Sequence, residues 1–320
     1  MIEKVLITGA TGLVGTHLLY WYRKKPRVHV TALYHTDIPE HLKELSKEDW
    51  VDFIKANLFK EGYAFDVLES YDTIIHAATY GQPNKFIADK TGTILLNTYV
   101  TEYLLGDCLQ THGRFLFLST SEVYNGAIPP YEENTMGTTT PSHPRAVYIE
   151  GKRCGETIVN IYRERGANAK SVRLSLAYGE GTRKNDGRAL NRFIQKGLQN
   201  SEIRLMDKGE ALRTYIYAED AVEMMMNVLY RGKYEVYNIG GDSTVTIAEL
   251  ANMIGKETGK PVVLGHGTGA EGAPQDTKMS IQRYIDEFGQ PEFTPLEEGL
   301  KRTIEFQKKL YAANISKDRK

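Results

Sequence analysis

Eight residues near the start of this 320-residue chain constrain its fold more than any others. Thr8-Gly9-Ala10-Thr11-Gly12-Leu13-Val14-Gly15 follows a short apolar run, Val5 to Thr8. It opens a stretch with helical spacing, Leu13 to Lys24, in which Val14, Leu18, Leu19 and Trp21 share one side. Glycine at 9 permits a tight turn, at 12 it lets backbone amides approach a pyrophosphate, and at 15 it lets the helix pack closely on the strand. The helix start adds free N–H groups and the positive end of the dipole. A strand, this turn and a helix at the head of a βαβ unit predict a dinucleotide site.

The rest of the first half repeats the alternation. Val28 to Leu33 reads as a second strand, Phe53-Ile54 as part of a third, and Thr73 to His76 and Phe115 to Leu118 as two more. A helix is expected around Ile94 to Leu109. Short buried strands separated by helices form a parallel sheet covered on both faces. Right-handed crossovers make it a doubly wound α/β sheet of the Rossmann kind, with ligands outside the carboxyl ends of the strands.

The second half is less regular. Gly126 to Pro144 is a long Pro-, Thr- and Gly-rich loop, and loops of that length commonly carry function. A helix over Tyr148 to Arg165, a strand over Ser171 to Leu176 and a polar connection over Gly179 to Gly187 follow. Val236 to Ile239 is a late strand, Ile247 to Thr258 and Pro295 to Leu310 are helices, and Asn314 to Lys320 reads as a frayed end. Two lobes are expected. Residues 1–174, rejoined at about 213–245, form the cofactor domain; about 175–212 and 246–320 form a smaller C-terminal substrate lobe.

Composition narrows the function. Forty Lys+Arg against 41 Asp+Glu leave no basic excess for nucleic acid or an anionic membrane. No apolar run approaches the roughly 20 residues needed to span a bilayer. Cys108 and Cys154 form no CxxC, and the eight histidines form no HExxH, so neither a disulfide framework nor a metal site is expected. A reducing, cytoplasmic setting follows as the expectation.

The residue that reads the adenosine ribose belongs at the end of the second strand. Tyr34-His35-Thr36 stands there, with no carboxylate before Asp37 and no arginine in its place. Arg23, Lys24, Lys25 and Arg27 precede the strand, at the far end of the sheet. NAD is favoured, with NADP left open.

Tyr148 and Lys152, four apart on the expected helix, meet on one face. A phenol titrates near 10, but a neighbouring ammonium and an oxidised nicotinamide both favour the phenolate. Tyr148 can then take a sugar hydroxyl proton while the carbinol hydrogen leaves as hydride. The strand ending at Leu118 continues as Ser119-Thr120-Ser121-Glu122-Val123-Tyr124. Continued extended geometry puts Thr120 and Glu122 on one face and Ser121 on the other.

These motifs resemble the extended short-chain dehydrogenase/reductase family, the nucleotide-sugar epimerases and dehydratases. TGATGLVG, DTIIHAAT, Asn97, STSEVY, YIEGK, RTYIYAEDAV, YNIGG and PLEEGLKRTIEF occur in the family's order. STSEVY, PRAVYIEGKRCGE and NDGRALNRFI look most like UDP-glucuronate decarboxylases. The resemblance implies Tyr148 as base, Lys152 on the ribose, and Thr120 on the substrate. It puts Gly9, Thr11, Gly12, Leu13 and Gly15 at the pyrophosphate, and Asn57 and Leu58 at the adenine. Tyr34 and His35 join the cofactor set with Asn97, while Ala77, Ala78 and Thr79 face the ribose and nicotinamide. Arg213 pairs with substrate phosphates, and Ser121 and Arg188 complete the substrate side. The helices Ile94–Leu109 and Tyr148–Arg165 look like the pair through which relatives dimerise as a four-helix bundle.

Three positions depart from the pattern. Leu176 replaces a common asparagine, Asn125 a common glycine, and Glu271 to Thr277 lacks the arginine expected to handle a sugar carboxylate or diphosphate. Oxidation of the sugar at C4 is the shared first step. A C4 ketone is β to a C6 carboxylate and permits decarboxylation. It also acidifies C5, permitting loss of a C6 hydroxyl with Glu122 as base, as in a 4,6-dehydratase. Reduction from the opposite face gives a 4-epimer. A dinucleotide sensor without turnover is the contrasting class, and sensors of that kind usually lose the tyrosine–lysine pair kept here.

Overall fold

The computed structural model describes residues 1–58, 70–268 and 274–315. Its first half runs β1 (Glu3–Thr8), α1 (Leu13–Arg23), β2 (Val28–Tyr34), β3 (Val51–Lys55), β4 (Thr73–His76), α2 (Pro83–Ala88), α3 (Lys90–Asn97), α4 (Tyr99–Thr111), β5 (Arg114–Thr120) and α5 (Ala146–Glu164). Next come β6 (Asn168–Leu174), β7 (Leu176–Tyr178), α6 (Ala189–Gln199), β8 (Ile203–Arg204), β9 (Leu212–Tyr217) and α7 (Ala218–Arg231). The chain closes with β10 (Val236–Ile239), β11 (Ser243–Thr246), α8 (Ile247–Thr258), β12 (Val262–Val263), α9 (Gln282–Phe288) and α10 (Leu296–Ile315).

Seven strands form one sheet in the order β10-β6-β5-β4-β1-β2-β3, every pair parallel. The Rossmann-like α/β fold expected from the alternation is present. β1 shows why these residues make a central strand. Val5 and Ile7 point into one core and Leu6 into the other, all three fully buried. Each such burial contributes roughly 1.5–3 kcal/mol. The order reverses between β1 and β4, which opens a crevice at their carboxyl ends.

A smaller lobe packs beside this sheet. β11, β9 and β7 form a three-stranded sheet, and β12 pairs with β8. Its own core joins Phe193, Ile194, Tyr215, Tyr217, Leu250, Ile254, Leu300 and Ile304.

Four expectations are corrected. The single helix over Ile94–Leu109 is two helices, broken at Thr98 (φ −117°, ψ −78°). There Asn97 Nδ2 donates to the Thr93 carbonyl, Thr98 Oγ1 to Ile94 and Thr101 Oγ1 to Asn97, side-chain bonds that compete with the backbone ladder. The strand over Ser171–Leu176 ends at Leu174: Ser175 makes a last bond to the Ile239 carbonyl of β10, and Leu176–Tyr178 leave to pair with β9 in the smaller sheet. Extended geometry stops at Thr120, whose Oγ1 accepts from the Glu122 N–H and caps a short 3₁₀ turn over Ser121–Tyr124. The end expected to fray at Asn314 stays helical to Ile315; residues 316–320 lie outside the described residues.

Behind β5 and α5 sits a buried polar network. Arg173 donates to Glu156 through Nε (3.0 Å) and Nη2 (2.7 Å) and to the Tyr124 hydroxyl through Nη1 (2.8 Å). Ser119 Oγ also donates to Glu156, and Tyr124 to Asn238 Oδ1 (2.7 Å). Removing one partner of a buried ion pair leaves an uncompensated charge, so Arg173→Met is expected to cost about 3–5 kcal/mol. Urea unfolding of the two proteins measures it.

His76 ties β1 to β4. Its Nδ1 bonds Thr8 Oγ1 (2.7 Å), its Nε2 bonds the Leu96 carbonyl (2.8 Å), and the Ala78 N–H donates to Thr8 Oγ1 (3.1 Å). Burial, aided by the charge of Lys152, lowers its pKa to about 3. The unfolded chain therefore binds this proton first. The stability His76 confers is whole above pH 6.5 and is lost as pH falls towards 3. Urea unfolding is expected to show about 2 kcal/mol less stability from this residue at pH 5 than at pH 6.5, and His76→Asn is expected to flatten that slope.

Candidate active site

The crevice at the switch point is about 400 Å³ in volume. The glycine turn forms its floor. A Cβ on Gly9 would lie 2.8 Å from Ala78 Cα, and one on Gly15 only 2.4 Å from the Gly9 carbonyl oxygen. Gly9 also sits at φ +69°, which favours glycine. Gly12 precedes α1 with no side-chain cap, so the first helical amides face the crevice without an internal partner from that residue.

Most of the expected site residues converge on this space. Gly9, Thr11, Gly12, Leu13 and Gly15 line it with Tyr34, His35, Asn57 and Leu58 towards one end. Ala77, Ala78, Thr79, Thr120, Ser121, Glu122, Tyr148 and Arg188 line it towards the other. Asn97 and Lys152 lie behind the wall. Asn97 Oδ1 accepts from Thr79 Oγ1 (3.3 Å), while the Lys152 ammonium donates to the Leu118 carbonyl and sits 4.5 Å from the centre of the Phe117 ring. Arg213 lies on β9 outside the crevice lining, donating to the carbonyls of Leu212 (2.7 Å) and Gln275 (3.4 Å).

Tyr148 is held flat. Its ring stacks on Phe86 at 4.8 Å between centroids with 1° between planes, and the Arg145 guanidinium lies 5.3 Å from the Phe86 centroid. Arg145 also donates to both carboxylate oxygens of Glu122, through Nε at 2.9 Å and through Nη2. Burial pushes the Tyr148 phenol up to about 12, while a hydrogen bond from Thr120 pulls the other way. Burial pushes the Lys152 ammonium down to about 7, opposed by the carboxylate of Glu156.

Among the lining residues that escaped the sequence reading are Phe86, Arg145, Arg183 and Asp186. Arg145 had a signal, three residues before Tyr148 within PRAVYIEGK. The expectation that no arginine serves the end of β2 is corrected, because Arg183 arrives there from a distant connection and donates to Asp37 Oδ1 (2.6 Å). Asp37 is thereby held below the usual carboxylate range. No residue within 20 positions of Asp37 announces this. Of the Glu271–Thr277 stretch, residues 271–273 lie outside the described residues.

Residues 5–240 match the NAD dependent epimerase/dehydratase family. The chain belongs to that family. It is an NAD-binding enzyme that modifies nucleotide sugars. Among curated proteins, UDP-glucuronic acid decarboxylase 1 of Xenopus tropicalis is 28% identical over 310 residues, covering 96% of this chain and 72% of that protein. The dTDP-4-dehydro-6-deoxy-D-allose reductase of Streptomyces bikiniensis is 30% identical, covering 92% and 94%. In fold, the chain is similar to UDP-glucuronic acid 4-epimerase of Bacillus cereus, solved with UDP-glucuronic acid and NAD (TM-score 0.86, 23% identity, 97% and 100% covered).

The family's cofactor fits the residues present. Asn57 Oδ1 and Ser175 Oγ are buried polar atoms without a partner, both on residues that line the crevice. Among the described residues no cluster of His, Cys, Asp and Glu could hold a metal, and no helix is long and apolar enough to cross a membrane. Both cysteines are free thiols.

The glycine at 15 gives a direct test. The atoms that a Cβ would strike are backbone, so they yield only by moving the turn or α1. Gly15→Ala is expected to weaken NAD binding at least about tenfold, equivalent to about 1.4 kcal/mol, as read by calorimetric titration.

Proposed function

We propose that this enzyme acts on a nucleoside-diphosphate hexuronate, oxidising C4 and releasing the C6 carboxylate as CO2. The carrying observation is the pair of arginines, Arg145 and Arg188, that line the crevice with Thr120 and Tyr148. Each is already paired, Arg145 with Glu122 and Arg188 with Asp186, but a guanidinium carries five N–H donors, and those left over suit a substrate that carries both a diphosphate and a carboxylate. They also answer the missing arginine of the 271–277 stretch.

Burial keeps the Tyr148 phenol protonated at neutral pH, so its basic form depends on positive charge brought beside it. A bound oxidised dinucleotide would supply that charge and the hydride acceptor for C4. Thr120 orients the C4 hydroxyl, and Tyr148 takes its proton. Phe86 keeps the phenol ring from rotating out of line. Lys152, behind the wall, serves the ribose side. Gly9, Thr11, Gly12, Leu13 and Gly15 hold the pyrophosphate, with Asn57 at the adenine. The resulting ketone is β to the carboxylate, so the C5–C6 bond breaks to CO2 and an enolate. A proton from solvent at C5, the proton held by Tyr148 returned to the C4 oxygen, and reduction at C4 by the dinucleotide would complete a redox-neutral cycle.

Glu122 bears on the 4,6-dehydratase alternative. Both of its oxygens already accept from Arg145, which leaves it poorly placed to take a proton from C5. A 4-epimerase needs no such carboxylate. The Streptomyces reductase supports a second reading, reduction of a 4-keto sugar with consumption of reduced coenzyme. A homodimer through α4 and α5 and a cytoplasmic setting belong to the same proposal; exposed Tyr99 and Ile161 supply apolar area on those helices.

Incubation with UDP-glucuronate and NAD is expected to give a product lighter by CO2 with no net change in reduced coenzyme. Recovery of unchanged uronate, together with oxidation of added NADH or NADPH when a 4-keto sugar is supplied, overturns the decarboxylase in favour of the reductase. Tyr148→Phe is expected to lower turnover at least about a hundredfold with KM little changed.

A further inference from the structure

The connection between β7 and α6, residues 179–188, touches both ends of the crevice. At the sugar end, Gln82 Nε2 donates to Asp186 Oδ2 (2.9 Å), and Asp186 accepts from Arg188 Nη2 (2.7 Å). At the adenosine end, Arg183 crosses to the cofactor domain. Its Nε donates to the Thr11 carbonyl (3.3 Å) and its Nη2 to Thr11 Oγ1 (2.9 Å). The same guanidinium donates through Nη1 to Asp37 Oδ1 (2.6 Å) and through Nη2 to the Asp37 carbonyl (3.0 Å). Thr11 belongs to the glycine turn and Asp37 follows β2, so one side chain spans the two segments that flank the adenosine half of a bound dinucleotide.

We infer that Arg183 is a retention residue for the coenzyme, a bridge from Thr11 to Asp37 that must open before the dinucleotide can leave. This rests on the reading of the crevice as the NAD site. The bridge contributes little to the fold. Its carboxylate arm is largely exposed, with 63% of the Asp37 side chain accessible, and such pairs are worth little to stability. The connection has other anchors. His17 Nε2 bonds the Glu180 carbonyl (2.9 Å), Thr182 Oγ1 donates to Gly179 (2.9 Å), and Gln82 holds Asp186. Loss of Arg183 therefore removes the bridge and leaves the segment in place. A redox-neutral cycle, which returns its coenzyme to the starting state, has no need to exchange it at each turnover, and retention suits that chemistry.

The test is the rate at which labelled NAD leaves the intact protein when chased with excess unlabelled NAD. Arg183→Ala is expected to release NAD about tenfold faster, the scale of one charge-assisted hydrogen-bond set. Arg183→Lys is expected to fall between the two. The unfolding midpoint without coenzyme is expected to be unchanged. Should Arg183→Ala fail to fold, Asp37→Asn removes the ionic arm while leaving the arginine, and is expected to speed release in the same direction. Equal release rates in native and variant proteins overturn the retention role alone. A native protein that takes up no labelled NAD overturns the coenzyme site and the bridge together.

Discussion

The structure depends on how closely two segments of backbone approach each other at the switch point of the sheet. The turn after β1 lies against Ala78 at the end of β4, and the start of α1 lies against the turn itself. A single methylene at 9 or 15 would meet backbone at 2.4–2.8 Å, where no flexible side chain can give way. His76 fixes the same junction from below, because its imidazole links Thr8 in β1 to Leu96 in α3. The crevice exists because these contacts hold the two strand ends together while their connections diverge to opposite sides of the sheet.

The chemistry is set by what burial does to the groups around that crevice. The phenol of Tyr148 is raised and the ammonium of Lys152 lowered, both by desolvation. Each shift disfavours the charged form, so neither side chain is activated by the other alone. The stack of Arg145 on Phe86 on Tyr148 joins ring orientation to charge, since the guanidinium at one end also holds Glu122. A change at Phe86 would disturb the acid–base residue and the carboxylate together.

The large sheet was legible in the sequence because local pattern and tertiary role coincide there. Val5–Thr8 and Thr73–His76 are short, apolar and bounded by turn residues, and they are strands for that reason. Expectation failed where side chains redirect the backbone: at Thr98, where hydroxyl and amide groups bond back to carbonyls, and at Thr120, whose hydroxyl caps a turn that an extended reading cannot foresee. Ser175 was missed because the strand pattern runs on while the chain changes sheets. Within the crevice, residues carried by contiguous motifs were found. Phe86 and Arg183 were not, because their meaning lies in partners 62 and 146–172 positions away.

The two-ended connection also limits how this protein can diverge. Asp186 and Arg188 are three and five residues from Arg183, which reaches the glycine turn, and Asp186 is tied to Gln82. An insertion or deletion there shifts both ends in concert. A change of sugar preference made through this segment therefore bears on coenzyme residence in the same step.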